Sequence, residues 1–92
     1  MVEEGINLLP LKDAVKAREA AASALGRLGF SVRRHGLDVI AVKRGCVVYA
    51  GLRAGWHVME LVIHGCSPEV AGEVSRAVSS AVSGLRVEVT QE

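Results

Sequence analysis

Hydrophobic positions recur with a helical period from Leu11 to Leu28 and then change to alternation. Leu11, Val15, Ala21 or Ala22, Leu25 and Leu28 form one stripe, with Lys12, Asp13, Lys16, Glu19 and Arg27 off it. Gly29 stands where a helix stop is expected. Beyond it lie three X-Gly pairs, His35-Gly36, Arg44-Gly45 and Ala54-Gly55, each flanked by β-branched sequence. Glycine supplies the positive φ of two-residue hairpins, so the pattern predicts an antiparallel four-stranded meander over 30–34, 37–43, 46–53 and 56–64. Gly65-Cys66-Ser67-Pro68 breaks the sheet and opens a second helix, with Ser67 as N-cap and Pro68 in its first turn. Val70, Val74, Ala77 or Val78, and Ala81 make that helix's stripe, Gly84 ends it, and 85–90 alternates as a last strand.

The element order is therefore α-β-β-β-β-α-β, an α+β domain over 11–92 preceded by an arm over 1–10. Two-residue turns set the register: Arg33 opposite Asp38, Asp38 opposite Gly51, and Tyr49 opposite Glu60. One face then carries Phe30, Val32, Leu37, Val39, Ala41, Val48, Ala50, Leu52, Met59, Leu61 and Ile63 as a core. The other carries Ile40, Val42, Val47, Tyr49, Val58 and Val62 at its middle, with Arg33, Asp38, Arg53, Trp56 and Glu60 around them. Both faces are apolar enough to need cover. Helices on both sides, an α/β/α sandwich, or a subunit contact on one side would supply it.

Composition narrows the function classes. Ninety-two residues make one domain with a core built from Val, Ala, Leu and Ile, since Phe30, Tyr49 and Trp56 are the only aromatics. A net charge of +1 gives no whole-molecule attraction to nucleic acid or membrane, so such binding needs a local patch. No apolar run reaches a membrane span, and the first residues lack a signal-peptide pattern, so a soluble cytoplasmic protein is expected. In that setting Cys46 and Cys66 read as buried free thiols, with a disulfide as the alternative in a hyperthermophile. Arginine outnumbers lysine and amides are scarce, which leans toward a thermophile or a GC-rich genome. His57 and His64 fall on opposite faces of one strand, which argues against a zinc site with the cysteines.

A helix ending in Leu28-Gly29-Phe30, a strand, and then residues 37–45, LDVIAVKRG, resemble the core of the restriction-endonuclease-like nucleases. Archaeal Holliday-junction resolvases are the nearest flavour, and the likeness covers roughly residues 14–53. That family has an α-β-β-β-α-β core covered on both faces, an Asp opening the second strand, and Glu-x-Lys on the third. Two carboxylates on adjacent strands hold Mg²⁺, which activates water, and the Lys stabilises developing charge. By this resemblance Asp38 stands at the family's Asp, while Glu-x-Lys reads Gly51-Leu52-Arg53. Arg18 occupies the helical acid's position, with Glu19 one residue out of place. An arginine stays charged and cannot serve as a base.

The resemblance thus implies a nuclease fold with a degenerate site, no catalytic residue, and Asp38 as a remnant. No cofactor is expected; a surviving activity requires Mg²⁺ on Asp38, Glu60 and Glu19. Three functions follow. The first is an inactive domain that binds DNA or RNA, or scaffolds a nucleic-acid enzyme, through Arg33, Arg34, Lys43, Arg44, Arg53 and Trp56. The second is a homodimeric or protein-binding module using the Ile40, Val42, Val47, Tyr49, Val58, Val62 face. The third is a metal-dependent nuclease with a migrated carboxylate. Asp38 is expected to form a cross-strand ion pair with Arg33.

Overall fold

A computed structural model describes residues 9–53 and 57–92; residues 1–8 of the expected arm over 1–10, the Ala54-Gly55 pair and Trp56 lie outside them. Its elements are α1 (Leu11–Arg27), β1 (Ser31–His35), β2 (Asp38–Lys43), β3 (Cys46–Leu52), β4 (Val58–His64), α2 (Pro68–Ala81) and β5 (Arg86–Gln91). The order along the chain is the expected one. In space the strands lie β1-β2-β3-β4-β5, antiparallel through β4, with β5 parallel to β4. That single parallel pair needs a crossover, which α2 provides.

The helix boundaries follow from local chemistry. Pro10 opens α1, and its carbonyl accepts the amides of Asp13 and Ala14 at 3.0 Å. At the other end Phe30 N–H reaches the Leu25 carbonyl and Gly29 N–H the Gly26 carbonyl, both at 3.0 Å, with Gly29 at φ 91°. This is a Schellman closure, and the left-handed position is why glycine stands there. The Lys43 ammonium donates to the Leu28 carbonyl at 2.6 Å, so β2 takes up an orphan carbonyl of the helix end.

Alanines bury α1: Ala14, Ala17, Ala21, Ala22 and Ala24 are buried beside Leu25, whereas Leu11 is 70% exposed. The expected Leu11–Val15 stripe therefore misplaces the first turn of the buried face. Small side chains let the helix lie close on the sheet, where Val39, Ala41, Val48, Ala50, Met59, Leu61 and Ile63 meet it. From α2, Val74 and Val78 enter the same cluster, while Ala81 is exposed. Each fully buried Leu, Ile or Met contributes about 1.5–3 kcal/mol.

Both helices pack on each other and on this one sheet face. The arrangement is two-layered, which corrects the α/β/α sandwich: the β4–α2–β5 crossover returns α2 to the side that α1 occupies. Among the described residues no helix lies on the far face, and Ile40, Val42 and Val47 are 42%, 47% and 39% exposed there.

Two hairpin registers also differ from expectation. The first turn is Gly36-Leu37, giving His35↔Asp38 and Arg33↔Ile40 in place of Arg33 opposite Asp38. Gly36, at φ 61°, takes the first central position of the turn and not the second. The third connection is longer than two residues, since Leu52 pairs with Met59 and Tyr49 with Val62 in place of Glu60. Each slip is by two partners, so every side chain keeps its face. The middle turn is Arg44-Gly45, with Lys43↔Cys46, and Val39↔Ala50 carries Asp38 opposite Gly51 as counted.

Cys46 and Cys66 form a disulfide, which overturns the free-thiol reading. Pairing of Val47 with His64 brings the start of β3 beside the end of β4, and the two Cα atoms lie 4.8 Å apart, within bridging range. Gly65 permits this approach: a Cβ there would sit 2.9 Å from the Gly45 carbonyl oxygen, and its φ is 73°.

Candidate functional site

The uncovered face is a grid set by the pairing. One row across it reads Arg33, Ile40, Tyr49, Val62, Thr90; the next reads Ser31, Val42, Val47, His64. On the other side of the first row lies a polar row: His35, Asp38, Gly51, Glu60, Glu88. An apolar centre of Ile40, Val42, Val47, Tyr49 and Val62 is therefore bordered by carboxylates at one end. Val58, expected among the interface residues, is 7% exposed and does not join that patch.

Tyr49 occupies the position where the resemblance requires a second carboxylate. A Cβ on Gly51 would collide with the Tyr49 hydroxyl, would come within 2.6 Å of its Cζ, and would lie 2.8 Å from Asp38 Oδ1. The phenol reaches across the bare glycine to the Asp38 carboxylate. Burial holds the Tyr49 phenol above its ordinary range, and the charge of Asp38, its hydrogen bond and the charge of Glu60 add to that. So Tyr49 stays protonated beside Asp38, which faces a phenol and not Arg33. Among the described residues Arg33 has no ion pair.

Because the folded state keeps the Tyr49 proton longer than the unfolded chain does, this interaction stabilises fully below about pH 10. That stabilisation is lost as pH rises through the folded-state value. The chain has one tyrosine, so base titration of tyrosinate absorbance reads it alone. The native curve is expected at higher pH than the curve in denaturant, and Asp38→Asn is expected to move it back toward the denatured one. Coincident native and denatured curves would refute the Tyr49–Asp38 contact.

The remaining acids are tied to arginines. Arg53 donates to Glu60 at 2.6 Å and to Glu88 at 3.1 Å, and Arg86 donates to Glu88 at 3.1 Å. Glu88 was not singled out from sequence. Alternation in 85–90 put it opposite in direction to Val87 and Val89, but only the seating of β5 beside β4 brings it to Glu60. Glu19 lies on the helix-covered side, where Arg34 donates to it twice, at 2.7 and 2.8 Å, and Arg18 once, at 2.9 Å. The Arg34 hydrogen bond, with lesser help from Arg18, lowers its pKa to about 2. The Asp38, Glu60, Glu19 metal set is thus corrected: the sheet separates Glu19 from the other two. Among the described residues no three His, Cys, Asp or Glu side chains converge as on a metal ion.

The five described residues among the six expected to bind nucleic acid do not form one surface. Arg34 is on the helix side with Glu19, and Arg53 is on the open face with Glu60 and Glu88. Lys43 caps Leu28 and sits 5.7 Å from the centre of the Phe30 ring. Arg44 is in the turn at the opposite end of β2 from Asp38, and Arg33 stands on the β1 edge. Trp56 is outside the described residues. Of the five described cations, only Arg33 and Arg44 lack a hydrogen bond or ion pair among those residues.

Among the described residues no helix is long and apolar enough to cross a membrane. No protein-family model, curated protein or solved structure matches the chain.

Proposed function

We propose that this chain is a non-catalytic, homodimeric interaction module that binds through its open sheet face. The observation that carries the reading is the exposure of Ile40, Val42 and Val47, contiguous with half-buried Tyr49 and Val62, on a sheet whose described helices both cover the other side. Water-facing sheet sides normally alternate to polar residues, and this one does not at its centre. A second copy supplies a matching apolar sheet, and two sheets pack well about 10 Å apart. Five strands spaced about 4.8 Å apart present a face on the order of 500 Å². Two such faces bury roughly 1,000 Å², about the size that marks a specific interface.

The α-β-β-β-β-α-β order and Asp38 at the start of β2 support descent from a restriction-endonuclease-like nuclease, with the chemistry gone and the sheet face kept for contact. The nucleic-acid reading has less support, because its cations are divided between two faces and largely neutralised by carboxylates. That leaves too few free charges on any one face for counterion release to drive binding.

Sedimentation equilibrium tests the proposal. The protein is expected to be a dimer, and Val42→Glu to weaken dimerisation at least about tenfold by placing a charge in the apolar contact. Leu11→Glu, an exposed change on α1 far from that face, is expected to leave the dimer intact. A wild-type monomer at every concentration, or equal association of Val42→Glu and wild type, would sink it.

A further inference from the structure

At the end of the sheet remote from Asp38 lies a groove of about 290 Å³. Leu28, Phe30, Val70 and the Cys46–Cys66 disulfide wall it, and Lys43, Arg44, Ser67 and Glu69 stand around it. Its size is near the lower limit for small-molecule sites, which combine apolar walls with a few placed polar groups. We propose that this groove binds a small apolar monocarboxylate, with the carboxylate on Arg44 and the apolar body against Phe30, Leu28, Val70 and the disulfide.

The charges select that chemistry. Lys43 spends one of its three N–H donors on the Leu28 carbonyl and lies over Phe30, so it closes the wall, held in place, and keeps its positive charge beside the groove. Glu69 accepts the Ser67 hydroxyl at 2.8 Å and stays in the groove as a negative charge. Arg44 is the one lining cation without a partner among the described residues. It is also held at φ 50°, a left-handed backbone that glycine adopts freely and arginine does not. One planar guanidinium matches one carboxylate in a two-point contact. Lys43 and Arg44 against Glu69 leave one positive charge, which one carboxylate balances and a dianion such as a phosphate exceeds, and an uncharged apolar molecule would leave Arg44 unused. The site is independent of the dimer face, which lies on the other side of the sheet.

An amide-resolved NMR titration of the full chain with octanoate, and in parallel with octanol, tests the assignment. Octanoate is expected to give saturable shifts at Phe30, Arg44 to Cys46 and Gly65 to Val70. Octanol is expected to bind about tenfold more weakly or worse, the cost of losing one charge-assisted contact. Arg44→Gly is expected to weaken octanoate by a similar factor, while its melting temperature holds or rises, because glycine suits the turn. Absence of saturable shifts, equal affinity for octanol, unchanged octanoate affinity in Arg44→Gly, or shifts confined to Ile40, Val42 and Val47 would each overturn the proposal.

Discussion

Reducing the Cys46–Cys66 disulfide is expected to lower the unfolding free energy by about 3 kcal/mol, from the closure entropy of a 20-residue separation. A domain of this size is stable by about 5–15 kcal/mol, so the loss is a large fraction of the total. The bridge joins the start of β3 to the segment between β4 and α2, where the native chain is already held by Val47↔His64 pairing. Its effect therefore falls on the unfolded chain, which regains the freedom of the released loop. Urea unfolding of oxidised and reduced protein measures the difference as a lower midpoint with similar cooperativity. Cys46→Ala with Cys66→Ala, kept under oxidising conditions, separates bridge loss from other effects of the reductant. Equal midpoints for all three samples would show that the bridge contributes nothing.

The disulfide marks a limit of what the chain's pattern alone conveys. Nothing in the spacing of Cys46 and Cys66 implies contact; the 46–66 approach needs the β3–β4 register, and the third turn was counted two residues too short. The same count still placed every described strand residue on its correct face. Side-chain direction depends on whether the offset is odd or even, and both slips were even. That is why the core face from Val39 to Ile63 and the exposed Ile40, Val42, Val47 face were legible. Which side the helices cover was not, because two apolar sheet faces look alike until the β4–α2–β5 crossover chooses one. On α1, five buried alanines carry too little hydrophobic contrast to mark the face, so larger Leu11 drew the stripe away from it.

The site shows the same division. Asp38 opposite Gly51 followed from counting β2 against β3, and with it the missing carboxylate. The partner of Asp38 did not follow. A salt bridge to Arg33 assumed a turn at His35-Gly36, and the actual partner, Tyr49, comes from two residues along the strand facing Asp38. A tyrosine two positions from a glycine on one strand face is the signal that was present. With no side chain at Gly51, the ring has room to lean along the strand and cover it. Likewise the cations looked like a patch in sequence because Arg33-Arg34 and Lys43-Arg44 are adjacent. Alternation sends neighbours to opposite faces, and the carboxylates that neutralise Arg34 and Arg53 come from α1, β4 and β5.

Placing a carboxylate at the bare position, Gly51→Glu, is expected to destabilise the protein by about 1–5 kcal/mol. Overpacking contributes about 1–3 kcal/mol of this, and the new charge, flanked by Asp38 and Glu60, adds up to about 1 kcal/mol for each like-charged neighbour. Gly51→Ala separates the two, because its Cβ meets Tyr49 and Asp38 without adding charge. The clash is with a side-chain end and not with backbone, so Tyr49→Ala in the same chain should remove most of the overpacking cost. That coupling is what a double-mutant cycle by urea unfolding reads. If Gly51→Ala costs the same with Tyr49 present or absent, Tyr49 does not fill the glycine's space. Added Mg²⁺ gives the second reading. With Glu at 51, acids from β2, β3 and β4 stand in one row, so a divalent cation that restores the midpoint of Gly51→Glu, but leaves wild type unchanged, would support ancestry in a metal site. No recovery with Mg²⁺ would count against ancestry in a metal site.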